Sequence, residues 1–89
     1  MVHKVTLPSI HMNGTSAKTL CEEIRKACSD LQMARMSLAS MTVHSRDHYV
    51  KTDPDSYVKA RNEQMARLDK IDAIYKELTD LYLGIRDQV

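Results

Sequence analysis

Between Ala17 and Met41 the apolar positions fall at Ala17, Leu20, Ile24, Ala27, Leu31, Ala34, Leu38 and Met41, at successive spacings of 3, 4, 3, 4, 3, 4 and 3. A heptad seam held for more than three repeats predicts one long amphipathic helix over residues 15–41. No Pro or Gly interrupts it, and Thr15 or Ser16 is a competent N-cap. The alanines at 17, 27 and 34 allow a partner helix to approach closely. Cys21, Cys28 and Met33 widen the apolar face beyond a single seam.

A second helix is predicted over residues 54–86. "DPDS" opens it, with Asp53 as N-cap, Pro54 at the first helical position and Asp55 in the first turn. Gly84 stands near its end. Its C-terminal half carries Leu68, Ile71, Ile74, Tyr75, Leu78, Leu81, Tyr82 and Ile85. These fill two adjacent stripes, more than one partner helix can cover. Continued backwards from Leu68, the seam meets Gln64 and Arg61, polar residues at core-type positions. Such interruptions fix register and oligomeric state or line a site.

Residues 42–53 form the connection. Residues 1–14 form an arm and a turn. Val2, Val5, Leu7 and Ile10 are apolar, and Pro8 argues for an extended arm over a helix. The expected architecture is therefore a single all-α domain: an extended N-terminal arm followed by an antiparallel two-helix hairpin. A hairpin alone leaves the second stripe and the arm uncovered, so a homo-oligomer is expected.

Composition narrows the picture. In 89 residues there is room for one small core, and with no Trp or Phe it must be built from Leu, Ile, Ala, Met and a few Tyr. The net charge is only +1, which disfavours duplex DNA or RNA as a partner. Cys21 and Cys28 lie two helical turns apart, about 10 Å, too far for a disulfide with each other. They read as reduced packing residues. The first 15 residues show no signal-peptide hydrophobic region, and no apolar run reaches the roughly 20 residues of a membrane span. A cytoplasmic protein with no membrane contact is expected.

Catalytic chemistry has little to stand on. No base–nucleophile pair is evident, so no enzyme activity and no cofactor are expected. His44 and His48 have the i, i+4 spacing of a metal pair on a helix, but no helix is predicted there and no third ligand is apparent, so no metal is expected. Arg46 and Asp47 are expected to pair locally. Attention instead falls on "HMNGTS", residues His11–Ser16. An Asn-Gly turn and two hydroxyls at the head of a helix provide either a cap or a seat for an anion, because the helix presents free N–H groups and a partial positive charge there. Arg67 could add a guanidinium fork for phosphate, provided the two places meet across a subunit interface. The plainer reading of Arg67 is a solvated helix face with Asp69 or Lys70 nearby. For Lys26 it is an i, i+4 pair with Glu22.

Three short elements, in order, are similar to those of a known family. His11-Met12-Asn13-Gly14-Thr15-Ser16 resembles an H-x-N-G-T-S element, Arg46-Asp47-His48-Tyr49 an R-D-x-Y element, and Glu63-Gln64-Met65-Ala66-Arg67-Leu68 an E-H-x-x-R-L element. Together they resemble small tailed-phage proteins that counter CBASS immunity by soaking up cyclic oligonucleotide signals. The resemblance implies a non-enzymatic sponge in the host cytoplasm. It implies a compact helical homo-oligomer, typically a hexamer, that holds cyclic dinucleotides, and in some members cyclic trinucleotides, between subunits. Carried across, Met12, Asn13, Gly14, Thr15 and Arg67 are the nucleotide contacts, with Lys26 as a further phosphate contact. Two positions depart from the pattern. Met12 stands where some relatives have an aromatic residue that stacks on a base, and Gln64 replaces the usual His. The competing expectation is a structural or regulatory helical hairpin that binds protein and takes no small ligand.

Overall fold

The computed structural model describes residues 5–49 and 53–89. It contains two long helices, α1 (Ala17–Ala39) and α2 (Ser56–Arg86), joined by a segment that carries a short 3₁₀ helix at Ser45–His48. There is no strand among the described residues. The chain is thus all-helical, with α1 packed on α2. Val2, grouped by sequence with the apolar arm, lies outside the described residues, as does the 50–52 part of the connection.

Three contacts give the helix directions. Gln64 Nε2 donates to the Leu38 carbonyl, Arg35 bridges to Asp72, and Gln32 Nε2 donates to Tyr75 Oη at 3.2 Å. Partners advance along α1 as they recede along α2, so the pair is antiparallel.

Both helices are shorter at their start than their periodicity suggested. α1 begins at Ala17 because Ser16, with extended backbone, turns its Oγ to accept from the Thr19 amide at 3.1 Å. Thr15 therefore lies before the cap, outside the helix. The other end stops at Ala39 rather than Met41. There the Ser40 hydroxyl donates to the Ser37 carbonyl at 2.8 Å, and the Ser40 and Met41 amides close the last turn.

At α2 the expected cap is corrected. Asp53 Oδ1 accepts from the Asp55 amide at 3.2 Å, a turn of its own that comes before the helix. Asp55 takes the cap position without a side-chain cap bond, and Pro54 falls in the turn. The other end is where it was expected: α2 passes Gly84 and ends at Arg86. A Cβ at Gly84 would stand 2.5 Å from Leu7 Cδ2. The missing side chain is what lets Leu7 lie against the helix backbone.

The inward face of α1 keeps Ala17, Leu20, Ile24, Leu31 and Leu38 of the expected seam and departs from it at the other three positions. Ala27, Ala34 and Met41 are exposed, whereas Cys21, Cys28 and Arg35 are half-buried beside Ile24, Leu31 and Leu38. The contact line runs 17, 21, 24, 28, 31, 35, 38, a heptad turned slightly from the expected one. Arg35 can sit on it because Asp72 neutralises it from α2, with Nε–Oδ1 at 2.6 Å and Nη2–Oδ2 at 3.1 Å. The core is small. Ile24 and Ile85 are its buried hydrophobic residues among those described, and Gln64, 7 % exposed, is buried at the other end of the helix pair, against the last turn of α1. Arg61, expected at a core-type position with Gln64, is exposed and lies over the Tyr57 ring with its Cζ 5.9 Å from the centroid.

Candidate functional site

The His11–Ser16 stretch forms a tight turn at the mouth of α1. The Gly14 amide donates to the His11 carbonyl at 3.2 Å. The His11 ring packs beneath Gly14, where an added Cβ would stand 3.0 Å from Nε2. Met12, Asn13, Gly14 and Thr15 are all exposed, Met12 by 97 %. Ser16 satisfies the Thr19 amide, and the amides of Ala17 and Lys18 belong to the first turn, which has no intrahelical acceptor. No acidic residue stands in that turn, so no carboxylate of the turn itself answers the partial positive charge of the helix end.

The arm that leads into the turn rests on the C-terminal end of α2. Leu7 covers Gly84, and the Gln88 side chain reaches the arm on both sides of Ser9. Its Nε2 donates to the Pro8 carbonyl at 2.8 Å, and its Oε1 accepts from the Ile10 amide at 3.1 Å. Sequence reasoning did not single out Gln88. One glutamine beyond the last heptad has no periodic signature, and its partners are backbone groups 78 and 80 residues away.

The other expected contacts lie elsewhere. Lys26 is on α1, with its ammonium 2.7 Å from Asp30 Oδ2, so its i, i+4 partner is Asp30 and not Glu22. Glu22 lies 4.0 Å from Lys18 instead. Arg67 is exposed on α2, and its Nη1 donates to Gln64 Oε1 at 3.2 Å. Its neighbour is therefore the glutamine of the E-Q-x-x-R-L element, neither Asp69 nor Lys70. Gln64 spans the two helices, holding the Leu38 carbonyl with one end and orienting the Arg67 guanidinium with the other. Arg67 thus stands beside the last turns of α1, some twenty residues or roughly 30 Å of helix from the His11–Ser16 turn. Within one protomer the two halves of the candidate site do not meet.

The third element, Arg46-Asp47-His48-Tyr49, folds into the 3₁₀ helix and the residue after it. His44 caps it, with Nδ1 accepting from the Arg46 amide at 3.1 Å. His48 Nδ1 lies 2.8 Å from Ser56 Oγ and its ring lies against Tyr57, which ties the connection to the first turn of α2. Arg46 and Asp47 are exposed, and Tyr49 is 86 % exposed. Among the described residues no three His, Cys, Asp or Glu side chains gather as a metal site would require. Cys21 and Cys28 are free thiols, each half-buried along the helix pair.

Two faces flank the helix pair. On one, Arg25, Ser29, Gln32, Tyr75 and Tyr82 line an open groove. On the other, Leu7 and Pro8 of the arm meet Leu20, Ala27, Leu78 and Leu81 in an apolar one.

The Arg35–Asp72 bridge also sets the electrostatics of the pair. Hydrogen bonding from Arg35 holds the Asp72 carboxyl below its ordinary value, partial burial opposes this, and the guanidinium charge reinforces it. The same hydrogen bond, then the Asp72 charge, raises Arg35. No helix among the described residues is long and apolar enough to cross a membrane. Comparison of the chain with protein-family models, with curated proteins and with solved structures returned no match.

Proposed function

We propose that this chain is a non-enzymatic sponge that binds cyclic dinucleotides, cyclic trinucleotides or both. It would hold them intact within a homo-oligomer in the host cytoplasm and so deny a CBASS effector its signal. The observation that carries the reading is the exposed Met12–Thr15 turn at the mouth of a helix whose first turn holds no acidic residue, within the H-x-N-G-T-S element. Asn13 offers amide donors and an acceptor for a base or sugar edge, Thr15 a hydroxyl, and the turn backbone a close approach at Gly14. Arg67, oriented by Gln64, supplies a planar fork for phosphate. Lys26 adds a cation, in competition with Asp30. Because the turn and Arg67 stand far apart on one protomer, a complete site takes them from different subunits.

Self-association has its own physical support. The chain exposes 7123 Å² of surface, whereas a compact 10.2 kDa monomer exposes about 5,300 Å². Its radius of gyration is 19.0 Å, against roughly 12 Å for a compact domain of this length. The exposed Met33, Met36, Met41, Met65 and Ile74 represent apolar surface that an assembly would cover, and a hexamer is the state the sequence resemblance implies.

Thermal-shift measurement against a panel of cyclic oligonucleotides tests the reading. A ligand present at 100 times its dissociation constant should stabilise the protein by about 2.7 kcal/mol through mass action. A panel of cyclic di- and trinucleotides that leaves the melting temperature unchanged would instead favour a helical hairpin working through protein contacts alone.

A further inference from the structure

The arm and the far end of α2 are joined by an arrangement that helix packing does not require. Gln88 presents its amide edge to the backbone as a neighbouring strand would. The donor goes to the Pro8 carbonyl at 2.8 Å and the acceptor takes the Ile10 amide at 3.1 Å. One turn back, Leu7 lies over Gly84, where any side chain would collide with it. Immediately after Ile10 come His11, whose ring supports Gly14, and the exposed Met12–Thr15 turn. The arm is therefore anchored at two points, on Gly84 of α2 and on Gln88 just beyond it, and only His11 separates the second anchor from the turn.

We infer that Gln88 is a positioning residue for the helix-mouth turn: its amide clamp, with the Leu7–Gly84 contact, fixes the arm so that Met12–Thr15 is already in its binding conformation before ligand arrives. The inference rests on the sponge reading, since the turn is the ligand contact that reading assigns. The physical argument is preorganisation. A turn on a loose arm must be ordered when ligand binds, and the apparent affinity falls by the fraction of molecules that hold the competent form. Gln88 touches no ligand in this account. It acts through Pro8 and Ile10.

Gln88→Met tests this directly, because it keeps the length of the side chain and removes its bonds to Pro8 and Ile10 together with the 3.4 Å bond from Nε2 to the Gly84 carbonyl. Leu7→Ala loosens the other anchor. Each variant is titrated with cyclic di-adenylate and with cyclic tri-adenylate, while amide exchange at Ile10 and Gly14, melting temperature and oligomer mass are followed alongside. Each variant should exchange faster at Ile10 and bind about 3–10 times more weakly, with mass and melting temperature close to the parent. The double variant should lose less than the product of the two single losses, because both anchors hold one segment. Unchanged Ile10 exchange in Gln88→Met would overturn the clamp. Faster exchange with parental affinity would overturn its positioning role while leaving the sponge reading intact. A parent that binds neither probe overturns the sponge reading, and the positioning role goes with it.

Discussion

Thr15 and Ser16 stand side by side at the mouth of α1 and have different roles. Ser16 is the cap, accepting from the Thr19 amide and donating to Thr19 Oγ1 at 3.0 Å. Thr15 lies outside the helix with an exposed side chain. From sequence alone either residue could cap, and a Thr15 substitution would have confounded folding with binding. The geometry separates them. Ser16→Ala should lower stability by about 1 kcal/mol. Thr15→Ala should change stability by less than about 0.5 kcal/mol while weakening ligand binding. Chemical denaturation and calorimetric titration of both variants check this, and a Thr15→Ala that melts like Ser16→Ala would contradict it. Arg67 is argued in the same way. Arg67→Ala should remove about 1.5–3 kcal/mol of binding, one to two decades in affinity, with the oligomer intact. Arg67→Lys should restore only part of that loss, because an ammonium has no planar fork for phosphate. If Arg67→Ala dissociates to monomers, Arg67 is an interface residue instead.

At the scale of elements, the two helices were legible in the sequence because their periodicity is long and uninterrupted, and their ends lie within two residues of the expected places. The contact line of α1 was less legible. Ala27 and Ala34 look like seam residues by hydrophobicity, yet they face outward, while Arg35 faces α2 because Asp72 awaits it there. A partner 37 residues away leaves no local trace. Asp53 misled for a related reason: Asp serves equally well in a cap and in a turn, and here it closes the turn. Of the candidate site, the helix-mouth turn was legible because its residues are contiguous. The Gln64–Arg67 contact and the Gln88 clamp were not, since both depend on how distant segments meet.

The bridge has a pH signature. Asp72 is held below its ordinary value in the fold, so its contribution is present above the unfolded carboxyl pKa, near 3.9, and is lost as pH falls through the lower folded value. Asp72→Asn lacks this component. Its stability should therefore decline less than the parent's from about pH 4 downward in acid denaturation, although the effect is small because both side chains are about half exposed. Parallel acid curves for the two proteins would show that the bridge contributes nothing to the helix pair.

On the scale of the whole molecule, one protomer is an elongated hairpin of 65 × 25 × 16 Å with two hydrophobic side chains buried among its described residues. So small a core supports the proposal that further burial comes from assembly. Light scattering at micromolar concentration should return a multiple of 10.2 kDa, and larger than a dimer. A mass near 10 kDa would contradict the assembly on which a shared site depends. On the proposed reading, the helix-mouth turn of one subunit and Arg67 of another form the site together, since the two lie far apart within one chain.

Capture without turnover is what separates a sponge from an enzyme. It is tested by mixing the purified protein with cyclic di- and trinucleotides, removing unbound ligand by gel filtration, unfolding the protein by heat and identifying what is released by mass. The account predicts cyclic oligonucleotide recovered unchanged, in fixed proportion to protomer and much reduced with Arg67→Ala. Linear or cleaved products would make the protein a nuclease, and no retained ligand at all would remove the sponge reading.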